Sequence, residues 1–483
     1  MDNIVLIGYF VSLLILFIFG SHGFIMLFYH KKYREVKHIP VENLKLNSKV
    51  TIQLPLYNEF YVVDRLINAI CAIDYPKELL EIQVLDDSTD ETVNLVAKMV
   101  SQKQKEGFDI VHIRRNSRKG FKAGALKEGM KTAKGDYIAI FDADFIPKKN
   151  FLKKTLSFFN DNNVGMVQTR WEHLNGDYSL LTKAQALALD GHFVIEQSVR
   201  NKAGFFINFN GTGGVWKRKC IEDAGNWHDD TLTEDLDLSY RAQLNGWKFI
   251  FLKDFTSPAE LPSEINALKS QQFRWTKGAI ETAKKILPLV WKSNVPLRVK
   301  LQSTFHLTNN MVFPFILLAA ILNVPLIFIK NSGPHEAYFA ILSLFVLAFV
   351  SSFLFYLYSQ KDVRRDWRKK IVLFPLFMAG SMGFAVNNSR AVVEGLLNRK
   401  SEFVRTPKFK VESNRDSWIG KRYLNNKLGF SVYVELIMAV YCLIGIVSSV
   451  YFAEIAALPF QILFFTGFAF VSLTSIKHAY GKH

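Results

Sequence analysis

Cysteine is scarce in this chain. The three cysteines among its 483 residues, Cys71, Cys220 and Cys442, lie far apart and match no metal-binding spacing. This pattern argues against a cysteine-ligated metal site and fits free thiols in a reducing compartment.

Acidic residues are also fewer than basic ones. The chain has 43 Asp and Glu against 60 Lys and Arg, which gives a formal net charge of +17. A nucleic-acid partner would suit this charge, but we find no nucleic-acid-binding signature in the sequence. The basic residues instead crowd beside apolar segments. We therefore expect membrane lipids and substrate phosphates, and no nucleic acid, as partners.

The segment Ile4–Tyr29 contains no Asp, Glu, Lys or Arg. At about 1.5 Å per residue it exceeds the ~30 Å hydrocarbon core, so it predicts a transmembrane helix. A cleaved signal peptide is the alternative, but the segment lacks a basic n-region and an Ala-x-Ala site and is longer than an h-region. Its basic cluster follows it, which places the N-terminus outside and the chain from Lys31 onward in the cytoplasm. The cluster consists of Lys31, Lys32, Arg34 and Lys37.

Four more apolar runs are long enough to span a bilayer. They lie at about Met311–Ile329, Ala337–Tyr358, Gly429–Phe452 and Ile455–Ile476. The run Ile371–Val386 is shorter, carries a proline and two glycines, and has the basic flanks Lys361–Lys370 and Arg390–Lys427. Because the positive-inside rule places both flanks in the cytoplasm, we expect a re-entrant or bent segment. The whole pattern predicts a multi-pass protein of the inner or plasma membrane.

Between the first two spans, short apolar runs alternate with longer amphipathic stretches. This alternation predicts strands and helices in turn, and hence a largely parallel sheet. The predicted order is strand Val50–Leu56, helix from about Phe60 to Ile73, strand Ile82–Leu85, helix Glu91–Lys105, strand Ile110–Ile113, helix from about Lys122 to Ala133, and strand Tyr137–Phe141.

Polar clusters follow three of these strands, at Pro55–Glu59, Asp86–Asp90 and Asp142–Asp144. Each alone also fits ordinary turn chemistry. Because ligands bind at the carboxyl ends of strands in open α/β sheets, the three together predict a cleft with acceptors for a base, a ribose and a metal. Two carboxylates one residue apart, Asp142 and Asp144, can hold a divalent cation that keeps positions open for phosphate oxygens.

The stretch Arg114–Leu126 places cations and glycines at a predicted helix N-terminus. Such an end binds phosphate through free N–H groups and the helix dipole, so Lys122 is expected to contact phosphate. For the arginines of this stretch, a solvated loop is the alternative.

Thr233 predicts the N-cap of another helix. Glu234 and Asp235 then fall in the first turn, where the dipole stabilises a carboxylate that can accept a proton. Ordinary capping explains acids at this position equally well.

Four motifs follow one another along the chain: Asp87, Asp142-Ala-Asp144, Thr233-Glu-Asp235 and Gln271-x-x-Arg274-Trp275. This set resembles that of the membrane-embedded family 2 glycosyltransferases, the group of cellulose, hyaluronan and chitin synthases. Residues 50–280 most resemble the cellulose-synthase-like enzymes that make mannan, glucomannan and the xyloglucan backbone. The resemblance implies an α/β GT-A-type (Rossmann-like) cytoplasmic catalytic domain plus an α-helical transmembrane domain, and inversion at the anomeric centre.

The resemblance also implies roles for individual residues. Asp235 is the expected general base, and Glu234 would help to seat the acceptor. The expected nucleotide-sugar-binding residues are Tyr57, Glu59, Asp87, Lys122, Asp142, Gln271 and Arg274. The expected acceptor-binding residues are Asn210, Gly211, Thr212 and Trp275. Asp142 and Asp144 are the expected ligands of Mg²⁺ or Mn²⁺.

The segment Phe403–Lys408 resembles the gating loop of cellulose synthases. Phe403, Thr406 and Lys408 match that motif, whereas Arg405 stands in place of a valine. A plain basic juxtamembrane loop is the alternative. Because the chain ends at His483, just past the last span, no cyclic-dinucleotide-binding domain is expected to follow.

The predicted organisation has four parts. They are an N-terminal transmembrane helix (1–30), a GT-A domain (45–260), amphipathic interface helices with the Gln271 motif (261–300), and a C-terminal transmembrane region (305–483) with a gating-type loop at 390–428. The predicted enzyme transfers a hexose from UDP-glucose or GDP-mannose to a growing β-linked polysaccharide and passes the product through its own helices. The alternatives are single addition to a lipid acceptor and a non-catalytic membrane scaffold. Neither the donor nor any secretion partner is identified by these residues.

Overall fold

The computed structural model describes residues 2–36, 47–333, 335–401, 403–413, 415–424 and 428–480. Lys37 of the predicted basic cluster, and parts of the predicted segments 1–30, 45–260 and 305–483, lie outside the described residues. Helix α1 (Asp2–Lys32) precedes an α/β domain, and a set of apolar helices follows it.

The centre of the domain is a single mixed sheet. Its strands are β1 (Val50–Leu56), β2 (Leu80–Asp86), β3 (Asp109–Arg114), β4 (Tyr137–Ile140), β5 (Val164–His173), β6 (Gly214–Lys217) and β7 (Lys248–Ala259). The order across the sheet is β3-β2-β1-β4-β6-β5-β7. Strand β6 is antiparallel to β4 and β5, and the other neighbouring pairs are parallel. The prediction of a largely parallel sheet is confirmed.

Helices cover both faces of the sheet. They are α2 (Val63–Cys71), α3 (Thr92–Lys105), α4 (Phe121–Thr132), α5 (Phe151–Leu156), α6 (Leu180–Asp190), a π-helix (Gly191–Gln197), α7 (Ser198–Lys202), α8 (Arg218–Asp223) and α9 (Glu234–Leu244). Side chains alternate along each strand, so Ile52 and Leu54 pack with α2, α3 and α5 while Ile138 and Ile140 pack with α4, α8 and α9. The carboxyl ends of β1, β2 and β4 lie side by side between these layers.

A long helix connects the domain to the apolar helices. This helix, α10 (Ile265–Lys292), corresponds to the predicted interface helix and packs on α9. The helices after it are α11 (Leu297–Thr308), α12 (Val312–Ser332), α13 (Glu336–Ser343), α14 (Val346–Val363), α15 (Trp367–Ile371), α16 (Phe374–Gly383), α17 (Ala385–Leu396), α18 (Phe430–Tyr451) and α19 (Leu458–Tyr480). A buried ion pair of 2.8 Å, between Lys269 Nζ and a Glu435 carboxylate oxygen, fixes α10 to α18.

Within the described residues, five stretches are long and apolar enough to cross a membrane. They are Asp2–Lys32, Leu297–Ser332, Glu336–Val363, Phe430–Tyr451 and Ile455–Tyr480. Each corresponds to one of the five predicted spans. The sequence pattern succeeds here because a bilayer-spanning helix needs an uninterrupted apolar run of about 20 residues.

The run Ile371–Val386 does not form one spanning helix. It is divided mainly between α16 and α17, which meet at Phe384, and α16 packs on α19. A methyl group placed on Gly383 would lie 2.2 Å from the carbonyl oxygen of Gly467, so two glycines let these helices approach backbone to backbone. The bend agrees with the expected shape, while re-entry into the membrane stays a prediction.

Candidate active site

The predicted cleft lies at the carboxyl ends of β1, β2 and β4. Sixteen of the predicted site residues line it: Tyr57, Glu59, Asp87, Lys122, Asp142, Asp144, Asn210, Gly211, Glu234, Asp235, Gln271, Arg274, Trp275, Phe403, Thr406 and Lys408. Thr212 is the exception, because its side chain is buried and its hydroxyl accepts a 2.9 Å hydrogen bond from the Asp142 N–H. Thr212 therefore holds the end of β4 in place and does not line the cleft.

One end of the cleft suits a nucleoside. Asp87 accepts hydrogen bonds from the Arg115 guanidinium on both carboxylate oxygens, with Nε at 2.9 Å from Oδ1. The Arg118 guanidinium lies 3.4 Å from the centre of the Tyr57 ring, in a cation–π contact. An aromatic face and a fixed carboxylate are groups that can bind a base and a ribose. Sequence reasoning missed both arginines, although it had marked their basic stretch.

Glu59 lies deeper, beneath the gating-type loop. Burial raises the pKa of Glu59 to about 7, against the opposing charges of Arg405 and Lys408. The Arg405 Nη1 lies 2.9 Å from Glu59 Oε2. Arg405, the residue that departs from the gating motif, is thus the ion-pair partner of a predicted donor-binding acid.

The carboxylate pair follows β4. Asp142 Oδ1 accepts a 2.5 Å hydrogen bond from Lys122 Nζ, and Asp144 Oδ2 accepts a 2.6 Å bond from Lys408 Nζ. Among the described residues, no hydrogen bond is found for the second oxygen of either carboxylate. Two such oxygens suit a hard divalent cation, whose remaining ligands would come from a diphosphate and water. The residues present therefore fit Mg²⁺ or Mn²⁺.

The predicted base stands at the start of α9. Burial raises the pKa of Asp235 to about 7, the Glu234 charge adds to this effect, and Lys122 opposes it. Burial also raises the pKa of Glu234. Gly211 lies close to the base: with φ +80 it occupies the left-handed region, and a side chain there would come 3.0 Å from Asp235 Oδ2. A carboxylate with a pKa near neutrality is suited to general base catalysis.

Thr233 occupies the N-cap position as predicted, but its side chain does not cap α9. Its hydroxyl instead forms a 3.1 Å hydrogen bond with the Thr282 hydroxyl of α10. The contact ties the base-bearing helix to the helix that carries Gln271, Arg274 and Trp275. The predicted helix start, with Glu234 and Asp235 in the first turn, is confirmed, although the Thr233 hydroxyl bonds to a tertiary partner and not to the helix end.

The gating-type loop enters the cleft. Arg274 Nη1 donates a 2.7 Å hydrogen bond to the Val404 carbonyl, and its guanidinium lies 4.4 Å from the centre of the Phe403 ring. Phe403 stacks on Phe121 at 5.5 Å, and Lys408 reaches Asp144. These contacts place the segment in the cleft, and a gating role for it stays a prediction.

A comparison with known families finds a match for most of the α/β domain. The model of the family described as "Glycosyltransferase like family 2" matches residues 48–278. Residues 48–278, just under half of the chain, are thus similar to a glycosyltransferase-like family 2 domain. The predicted motif set from Asp87 to Trp275 lies wholly within it.

Plant proteins are similar to this chain over more than half of its length. A protein of Oryza sativa subsp. japonica named "Probable glucomannan 4-beta-mannosyltransferase 7" is 44% identical over 275 residues, which cover 55% of this chain and 47% of the relative. The Arabidopsis thaliana protein named "Glucomannan 4-beta-mannosyltransferase 7" is 40% identical over 309 residues, covering 62% of this chain and 56% of the relative. The chain spans about half the length of these curated relatives.

A solved structure shares the fold. A mannosyltransferase from Pyrobaculum calidifontis, solved in complex with GDP-Man and Mn²⁺, aligns with a TM-score of 0.56 over 80% of this chain and 100% of that chain. The sequence identity is 18%, so the likeness concerns the fold alone. The expected GT-A-type architecture is confirmed.

Proposed function

We propose that this protein is an inverting, divalent-metal-dependent hexosyltransferase that extends a β-linked glycan. The observation that carries the proposal is the placement of a carboxylate of raised pKa, Asp235, in the same cleft as the Asp142–Asp144 pair. The names of the plant relatives support β-1,4-linked mannan or glucomannan as the product. GDP-mannose and UDP-glucose are the two candidate donors.

In this mechanism, different residues act on the attacking acceptor hydroxyl and on the leaving nucleoside diphosphate. Asp235 takes the proton of the acceptor hydroxyl as that oxygen attacks the anomeric carbon. Lys122 and Arg274 are placed to neutralise the charge that builds on the nucleoside diphosphate as it leaves. A metal held by Asp142 and Asp144 would supply further charge neutralisation. Trp275 offers an apolar face on which the acceptor sugar can stack.

The proposal is tested by a donor screen on the purified full-length protein in lipid nanodiscs. GDP-mannose, UDP-glucose and other nucleotide sugars are supplied singly with Mg²⁺ or Mn²⁺ and a β-1,4-linked oligosaccharide acceptor. Linkage and length analysis of the product then distinguishes polymer extension from a single addition. Transfer from none of these donors would contradict the proposal.

A pH dependence follows from the buried base. Because burial raises the pKa of Asp235 to about 7, the protonated, inactive form increases as pH falls below that value. We expect kcat/KM to rise with pH and to level off above about pH 7 in rate measurements from about pH 5.5 to 8.5. A flat profile over this range in the wild type would contradict the assignment.

The loop between α17 and α18 supports a topology for the membrane part. Arg65 of the domain pairs with Glu412 at 2.8 Å, and Asp64 pairs with Lys410 at 2.9 Å. At the other end of the chain, the Ile265 N–H donates to His478 Nδ1 at 3.2 Å. We infer that the domain, this loop and the C-terminal helix end share the cytoplasmic side. The five candidate spans cross the membrane and α16 does not.

Cysteine labelling tests this topology. We expect Ser413→Cys, in a variant whose native cysteines are replaced, to resist a membrane-impermeant maleimide in intact cells and to react after permeabilisation. Ser332→Cys, at the last residue of α12 and directly before the next candidate span, is the control that should react from outside. Ser413 and Ser332 are both exposed. Labelling of Ser413→Cys in intact cells would mean that the segment with α16 crosses the membrane.

A further inference from the structure

The side chain of Asn210 is held by a π-helix on the acceptor side of the cleft. Gln197 Nε2 donates hydrogen bonds to the Asn208 carbonyl at 2.7 Å and to Asn210 Oδ1 at 2.8 Å. His192 Nε2 lies 3.1 Å from Asn210 Nδ2, and His192 Nδ1 lies 2.9 Å from Glu196 Oε2. A chain of hydrogen bonds thus runs from a carboxylate to the amide of a cleft residue.

The donor and the acceptor of each of these hydrogen bonds can be assigned. A backbone carbonyl can only accept, so the Gln197 atom that faces Asn208 is the amide nitrogen. Its second hydrogen requires an acceptor, which fixes Asn210 Oδ1 on that side and Nδ2 toward His192. Neutral His192 must then accept at Nε2 and carry its proton on Nδ1, where the Glu196 carboxylate accepts it.

The π-helix makes this arrangement possible. In a helix with i to i+5 hydrogen bonds, residues five apart lie one turn apart and face the same way. His192 and Gln197 are five residues apart, and they form hydrogen bonds with the nitrogen and the oxygen, respectively, of the Asn210 amide. In an α-helix with 3.6 residues per turn they would point about 140° apart. Such helices occur often at functional sites.

Glu196, the carboxylate at the start of this series of hydrogen bonds, stays ionised. Burial would raise the pKa of Glu196, but the nearby Arg200 charge and the hydrogen bond from His192 outweigh it and hold this pKa below its usual range. Arg200 is itself 3% exposed, and within the described part of the chain its Nε and Nη1 have no hydrogen-bond partner. The ionised Glu196 therefore accepts from His192 throughout the physiological range of pH.

One hydrogen of Asn210 Nδ2 remains uncommitted, since the described residues supply only His192 as an acceptor for this nitrogen. Asn210 lines the cleft, and the residue after it approaches Asp235. Asn210 is already an acceptor-binding residue expected from the resemblance, and we propose that the Glu196–His192 pair positions its amide so that this hydrogen faces the acceptor sugar. Glu196 and His192 are then positioning residues that set acceptor affinity. The inference rests on the proposed function of the cleft.

Paired variants test the proposal in the full-length protein. Removal of the imidazole in His192→Ala is expected to raise the acceptor KM about 3- to 10-fold, the usual worth of a neutral hydrogen bond. The donor KM should not change. His192→Gln supplies an oxygen that accepts from Asn210 and should restore the acceptor KM to within about twofold.

The carboxylate gives an independent comparison. Glu196→Leu is expected to reproduce the acceptor defect, whereas Glu196→Gln keeps an oxygen for the His192 proton and should not. If His192→Ala fails to fold, this second pair decides. His30→Ala is the matched control, because it breaks a comparable 3.2 Å contact with Asp362 outside the cleft. A purely structural role would lower the melting temperature and shift the donor and acceptor KM together, and that outcome would overturn the proposal.

A binding measurement separates this inference from the proposed function. Calorimetric titration of β-1,4-mannohexaose into the donor-free protein needs no turnover. Weaker binding by His192→Ala than by His192→Gln supports the positioning role even if every tested donor proves inactive. Equal binding by these two variants and the wild type overturns it, even if the wild type transfers mannose rapidly.

Discussion

Replacing Asp235 by Asn is expected to lower glycosyl transfer by roughly 10²–10⁴-fold, the usual contribution of a general base. Asparagine keeps the size of the side chain and the start of α9 but cannot take a proton at neutral pH. The Asp235 carboxylate lies in the same cleft as Lys122 and the Asp142–Asp144 pair, and its raised pKa suits proton transfer. Donor affinity should barely change, because the base acts on the acceptor hydroxyl.

Donor affinity by calorimetry and turnover by product formation should be measured on the same purified variant. Asp229→Asn is the matched control, since Asp229 is an exposed acid six positions earlier and should tolerate the change. A second metal ligand at Asp235 would instead show weaker metal-dependent donor binding. A helix-start acid would show modest destabilisation with turnover intact. Near-normal turnover of Asp235→Asn would remove the general-base assignment.

Local patterns were sufficient to predict the strand ends of the site. Strand β1 has the predicted bounds Val50–Leu56, and Asp87 and Asp142 follow β2 and β4 as expected. A buried parallel strand is a short apolar run, and the polar residues after it mark its end. Because parallel strands end at one edge of a sheet, the gathering of these acids followed without any knowledge of long-range contacts.

The remaining parts of the site depend on distant partners. Arg118 reaches Tyr57 and Arg115 reaches Asp87, although a basic stretch read alone also fits a solvated loop. Thr233 lies at the N-cap position, yet its hydroxyl forms a hydrogen bond with Thr282, 49 positions later in the sequence. Side-chain hydrogen bonds of this kind are selected by tertiary packing, so neighbouring residues in the sequence carry no signal for them.

The acceptor side of the cleft was even harder to predict from local sequence patterns. The sequence marked Asn210 through its motif, but the π-helix that holds Asn210 leaves no recognised local signature. His192 and Gln197 would face different directions under the α-helical period assumed for amphipathic stretches. Only the observed helix type brings them together. Strands β5 to β7 and the antiparallel placement of β6 also lay outside the predicted order.

Replacing Asp144 by Asn is expected to lower turnover by roughly 10²–10³-fold, because a bound divalent cation supplies several kcal/mol of charge stabilisation. Asparagine keeps an oxygen but loses the negative charge with which the carboxylate replaces water as a ligand of Mg²⁺ or Mn²⁺. Donor affinity should weaken mainly when metal is present, and EDTA should abolish wild-type turnover. Asp136→Asn is the matched control, an exposed acid before the opposite end of β4.

The Lys408 contact requires a second comparison, since Asp144→Asn also weakens a 2.6 Å ion pair with Lys408. Lys408→Gln removes that pair and leaves Asp144 intact. If Asp144 binds metal, donor affinity titrated with and without Mn²⁺ should stay metal-dependent in Lys408→Gln and lose that dependence in Asp144→Asn. If Asp144 only anchors the gating-type loop, both variants should weaken donor binding equally with and without metal. Wild-type turnover that survives EDTA would refute the metal assignment altogether.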